Sequence, residues 1–226
     1  MYALAATAAG VGALALAQPA QAKIVYTPTH QKLPINKDFF LDLNHDGVND
    51  FKFYVRVYTT PARENCVGAV YLSRLNSGNG AVAKESAPDS GFASALKAGV
   101  RIRKADYFPN YNREPLGFAF GGDSRSTFGP WTKSGEPVDH RYLGLKFKVK
   151  GKTHYGWARL NVWIRDGQSR CGARASATLT GYAYETIANK SIVTGRTKGP
   201  DDRAEQANPD AAVPSATLGR LALGRK

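Results

Sequence analysis

Trp157-Ala158-Arg159-Leu160-Asn161-Val162-Trp163-Ile164-Arg165 changes character at every step. Ala158, Leu160, Val162 and Ile164 form one aliphatic series, and Trp157, Arg159, Asn161, Trp163 and Arg165 form the other. A period of two belongs to an extended chain, whose side chains alternate between the two faces, so the stretch predicts a half-buried strand. The same repeat recurs on both sides. Leu145, Phe147 and Val149 alternate with Lys146, Lys148 and Lys150, and Phe51, Phe53, Val55 and Val57 alternate with Lys52, Tyr54, Arg56 and Tyr58. In each, the face turned away from the core is basic or aromatic.

Further strands are predicted at 23–27, 39–43, 67–72, 100–105 and 177–185, separated by clusters of Gly, Pro, Asn and Asp of the kind that turns require. Helical periodicity is nearly absent; residues 92–98 allow two turns at most. Many short strands without alternating helices predict an all-β chain, an antiparallel β-sandwich of jelly-roll or immunoglobulin-like type. Residues 73–90, rich in Gly, Ser, Asn and Ala, predict an exposed loop. Residues 117–135, with five glycines among aromatics, predict an irregular but packed excursion.

The ends read differently. Residues 2–17 are almost uninterrupted Ala, Leu, Val and Gly, and Ala20-Gln21-Ala22 has the small-x-small form of a processing site. Residues 1–22 therefore predict a signal peptide, with Lys23 starting the exported chain. The domain spans 23–197; residues 198–216 are polar, contain Pro and Ala, and predict a flexible linker before the tail 217–226. An exported chain of about 200 residues is enough for one domain with a real core. No segment of that exported chain is long and apolar enough to predict a transmembrane helix.

Two cysteines, Cys66 and Cys171, in an exported chain predict a disulfide, and no Cys-x-x-Cys spacing suggests redox chemistry. Closing a loop of roughly a hundred residues contributes about 4–5 kcal/mol in the chain-entropy model. The net charge of +13 suits acidic polysaccharide or other anionic envelope components. Its Lys and Arg are spread along the whole length, however, which equally suits solubility alone.

Residues 42–50, Asp-Leu-Asn-His-Asp-Gly-Val-Asn-Asp, place oxygen side chains at loop positions 1, 3, 5 and 9 and glycine at position 6. Asp42, Asn44, Asp46, the Val48 carbonyl and Asp50 form a candidate Ca2+ site, with Gly47 permitting the sharp turn. Position 12 is Phe53 in place of a bidentate Glu, and the flanks are strands, so the loop is a hairpin clamp of weak affinity, on the order of 0.1–1 mM. The alternative reading is that Asn-His-Asp-Gly is turn chemistry only.

Trp157, Arg159, Asn161, Trp163 and Arg165 form a second candidate, a face able to stack on sugar rings and bind their acid groups. The alternative is that Trp157 packs under a loop and an Arg stacks on a Trp within the protein. Signals for catalysis are weak. His30, His45, His140 and His154 lack metal-ligand spacing, and no nucleophile elbow or phosphate loop is present. Asp123, Glu136, Asp139 and Glu185 leave a secreted hydrolase as the third reading, behind a structural or adhesive role and a carbohydrate-binding module. No nucleic-acid-binding motif accompanies the basic charge.

The tail Val213-Pro214-Ser215-Ala216-Thr217-Leu218, then Leu221-Ala222-Leu223-Gly224 and Arg225-Lys226, resembles exported bacterial proteins of the PEP-CTERM sorting class. So do Tyr142-Leu143-Gly144-Leu145-Lys146-Phe147, His154-Tyr155-Gly156-Trp157-Ala158-Arg159-Leu160 and Gly181-Tyr182-Ala183-Tyr184-Glu185-Thr186, followed by Ile192 and Gly195. The resemblance implies export, surface sorting and an association with extracellular polysaccharide. Ser215 and Ala216 stand where the sorting tripeptide has Glu-Pro, and Arg220 interrupts an apolar stretch of about eight residues where a helical span needs about 20. The tail is thus a degenerate or truncated version of that signal.

Overall fold

The computed structural model describes residues 23–59, 66–85, 91–121, 126–167 and 171–199. The signal-peptide reading, the tail and nearly all of the linker lie outside them. Twelve strands run in chain order: β1 (Ile24–Lys32), β2 (Asp38–Leu41), β3 (Phe51–Thr59), β4 (Cys66–Arg74), β5 (Gly80–Ala81), β6 (Arg101–Ile102), β7 (Arg113–Phe120), β8 (Ser126–Phe128), β9 (Val138–Val149), β10 (Lys152–Arg165), β11 (Arg174–Glu185) and β12 (Ile192–Val193). One sheet has the order β1-β11-β10-β9-β5 and a second the order β2-β3-β4-β7-β8; β6 and β12 pair separately. All of these ladders are antiparallel.

The two sheets pack face to face as a β-sandwich. The inward series of β3 (Phe51, Phe53, Val55) meets that of β10 (Ala158, Leu160, Val162, Ile164) in one buried cluster. Alternation therefore did its work: each strand named by its period of two buries the apolar half of the series. Cys66 at the start of β4 and Cys171 just before β11 form a disulfide that staples one sheet to the other.

A second cluster lies on the other side of the first sheet. Trp157, Tyr155 and Tyr142 are covered there by Val82, Ile102 and Ile192, which arrive from distant parts of the chain. Gly144 makes the close approach feasible, because a Cβ at this position would sit 2.8 Å from Val82 Cγ2 and 3.2 Å from Ile102 Cδ1.

Four expectations change. The 100–105 strand shrinks to Arg101–Ile102. The 92–98 segment is not helical; Ala93 and Leu96 instead form isolated bridges to Ala83 and Tyr142. The predicted 73–90 loop is in part interior, since Asn79, Ala81, Val82 and Ala83 are buried and Gly80–Ala81 extends the first sheet. The predicted excursion 117–135 begins inside β7, whose pairing with β4 shifts register between Val70 and Tyr71. That irregularity accommodates Pro115, which cannot donate to a regular ladder.

Candidate functional site

The 42–50 loop closes the hairpin between β2 and β3. Leu41 and Leu43 are buried in the core, which fixes both ends of the descending limb. Gly47 has φ 84 and His45 has φ 60, the left-handed conformations that such a tight reversal needs. The Asp42 carboxylate accepts from the Asp46 N–H at 3.3 Å and the Gly47 N–H at 2.7 Å. Asp46 accepts from the Val48 N–H and from Asn44 Nδ2, both at 2.9 Å. Asp50 accepts the Leu43 N–H at 2.9 Å and is only 2% exposed.

The loop is anchored to both sheets. Asn79 donates to the Asp50 carbonyl and accepts from the Lys148 N–H, each at 3.0 Å. His45 Nε2 lies 2.8 Å from the Thr27 hydroxyl and 3.4 Å from that of Tyr182. Electrostatically the acids differ. Burial pushes the Asp50 carboxyl up to about 6, and the charges of Asp42 and Asp46 add to it against the Leu43 N–H. The Asn44 amide, then the Val48 N–H, hold Asp46 below the usual carboxylate range.

Among the described residues no three His, Cys, Asp or Glu side chains are arranged to hold a metal ion. In this loop the carboxylates turn to N–H groups of the turn itself. One oxygen stands apart: Asn44 Oδ1 is buried without a hydrogen-bond partner.

The 157–165 face is divided by its surroundings. Trp157 is 1% exposed, with ring centroids 5.2 Å from Tyr142 and 5.7 Å from Tyr26, so its face is not open to a sugar. Arg159 donates to the Thr180 hydroxyl and carbonyl, each at 2.8 Å. Asn161 accepts the His140 N–H. Trp163 donates to the Gly135 carbonyl, and the Arg165 guanidinium lies 4.7 Å from the Trp163 ring. Arg159, Asn161, Trp163 and Arg165 are thus engaged by the protein, while the buried Trp157 N–H has no hydrogen-bond partner. The physical reason is that the outer face of this sheet carries a cover, which a strand's own sequence does not reveal.

The basic and aromatic series of β3 faces outward on the second sheet. Lys52 and Arg56 sit 4.4 Å and 5.0 Å from the Tyr54 ring and both pair with Asp38. Of the candidate hydrolytic acids, Glu136 and Asp139 are exposed, Glu185 is buried and accepts the Ile187 N–H, and Asp123 lies outside the described residues.

Two features had no sequence signal. Glu114 is 2% exposed on β7, and its Oε2 has no partner. Two cation-lined cavities flank Asp106 on the covered side of the first sheet. No protein family, curated protein or solved structure matches this chain.

Proposed function

We propose that this chain is an exported bacterial β-sandwich protein with a structural or adhesive role in the envelope or extracellular matrix, its 42–50 loop stabilised by calcium. The observation that carries this reading is a buried carboxylate, Asp50, that feels the charges of Asp42 and Asp46, beside a buried, unpartnered amide oxygen. Asp42 and Asp46 lie near enough for their charges to act on Asp50, and Asn44 Oδ1 is left without a donor. A cation that seeks six to eight oxygens relieves both costs. The existing N–H contacts do not compete with it, since a carboxylate oxygen has more than one lone-pair site. The Val48 carbonyl supplies a further donor.

Export is supported by the disulfide, which belongs to oxidising compartments. Among the described residues no helix is long and apolar enough to cross a membrane. Calorimetric titration with CaCl2 tests the site: one saturable event is expected, abolished in Asp46→Ala and weakened in Asp42→Asn. A wild-type protein giving only heats of dilution refutes it.

A second reading, a module that binds acidic polysaccharide, is favoured by the gathering of cations beside Asp106. On this reading the ligand lies in the cavities beside Asp106, since Trp157 itself is buried.

A further inference from the structure

The first cavity, about 530 Å³, is lined by apolar Val82, Leu96 and Val100 and by the cations Lys84, Lys97, Arg101 and Arg141. These cations come from three separate stretches of chain. None of Lys97, Arg101 and Arg141 makes an ion pair with a described residue. The second cavity, about 470 Å³, contains Lys104 and Lys146 beside Tyr107, Phe108 and Tyr155. Asp106 lines both, one of its oxygens held by the Arg103 N–H at 2.8 Å. Both volumes lie in the ordinary range of ligand sites.

Lys97, Arg101, Lys104, Arg141 and Lys146 thus line two hollows whose described lining holds one carboxylate, that of Asp106, with Glu114 near Lys146 behind it. Like charges gathered beside apolar side chains repel one another, and an anion relieves that repulsion. Another cavity, about 620 Å³, makes the contrast: Arg165 and Arg174 are balanced there by Glu136 and Asp166. Lys146, 4.6 Å from the Phe108 ring, is held below its ordinary range by burial and then by Lys148 and Arg74.

We propose that the two cavities beside Asp106 form one binding track for an acidic polysaccharide, the carboxylates of its uronic-acid rings meeting the Lys97, Arg101 and Arg141 cations while a neighbouring ring lies against Tyr107. This rests on the carbohydrate-binding reading and replaces its site. Tyr107 is 40% exposed, so its ring is open to stacking. Thr153, Asn189 and Asp106 supply partners for sugar hydroxyls.

The test is titration of the full chain with an oligogalacturonate at fixed calcium, at low and raised salt, beside its methyl ester. Wild type is expected to bind the acid form, more weakly as salt rises, and the neutral ester far less. Lys97→Glu with Arg101→Glu is expected to weaken binding ~10-fold or more. Lys97→Gln with Arg101→Gln, checked for unchanged melting, gives a smaller loss and guards against a misfolded variant. The control is Lys52→Glu with Arg56→Glu on the opposite sheet, expected to bind as wild type does. If the control loses binding and the Lys97/Arg101 variants keep it, the track is overturned while the polysaccharide reading stands. If wild type does not bind the acid form at all, both fall. Equal binding of the ester, or tighter binding of a single-stranded oligonucleotide or an anionic vesicle, overturns the track as well.

Discussion

Glu114→Gln is expected to abolish a large part of the protein's loss of stability between acid and neutral pH. The carboxylate is 2% exposed, its Oε1 accepts only a long bond of 3.4 Å from the Ala81 N–H, and its Oε2 has no partner. Burial pushes the group from 4.5 up to about 7, against the Ala81 N–H, Arg74 and Lys146, which favour the ionised form. Below pH 4.5 folded and unfolded chains both hold the proton, and the group contributes nothing to the pH dependence. Between 4.5 and 7 the unfolded chain releases a proton that the folded chain retains, so stability falls as pH rises, by about 1.4 kcal/mol per unit. Above 7 both forms are ionised and the loss has reached about 3 kcal/mol. Glutamine titrates in neither state. Asp50, also raised, is present in both proteins and cancels in the comparison. Urea unfolding of both proteins at several pH values from 4.5 to 8 measures the difference, with the wild-type free energy falling about 3 kcal/mol further than the variant's. Parallel pH profiles would refute the reasoning, since they would mean that Glu114 ionises freely inside the fold.

The disulfide closes a sequence separation of 105 residues, so Cys66→Ser with Cys171→Ser is expected to cost about 4–5 kcal/mol in the chain-entropy model, read as a melting point lower by about 10–20 °C. A variant melting within a few degrees of wild type contradicts the staple between the sheets. Trp157→Ala empties the space between Tyr142, Tyr26 and the covering segment and is expected to cost about 3–5 kcal/mol in chemical unfolding, whereas the 43%-exposed Phe128 tolerates alanine far better. Equal losses at the two positions would mean that the cover over Trp157 is not formed. Gly144→Ala drives a Cβ into Val82 and Leu96 and is expected to cost about 1–3 kcal/mol, with amide exchange rising in the covering segment before it rises in the sandwich core.

The sandwich was legible where one face of a strand meets the core and the other meets water or cations. Phe51 to Val57 and Ala158 to Ile164 show that pattern, and their buried series are the ones the alternation selects. β7 was hidden because Pro115 and Gly117 are the residues that ordinarily end strands, and only the irregular pairing with β4 lets them stay in one. The covering layer was hidden for another reason. Leu96 reaches the sheet through a single bridge to Tyr142, and Ile102 pairs only with Ile192, so these covering residues share no period.

The candidate sites divide along the same line. The 42–50 loop carries its chemistry within nine consecutive residues, so spacing alone exposes the turn, the glycine and the acids. The cations beside Asp106 come from residues 84 to 146, and only folding brings them together. Trp157 shows the converse error: alternation assigns it correctly to the outer face of its sheet, yet that face is not the surface of the protein.

Thermal unfolding of wild type and Asp46→Ala, each in excess chelator and in about 10 mM CaCl2, shows whether the 42–50 loop holds calcium. A site of 0.1–1 mM affinity stabilises the folded state by about 1.4–2.7 kcal/mol at that concentration, which for a domain of this size is a rise of about 3–11 °C in Tm. Wild type is expected to show that rise and Asp46→Ala to lack it. An unchanged wild-type Tm, or an equal rise in both proteins, contradicts the calcium reading.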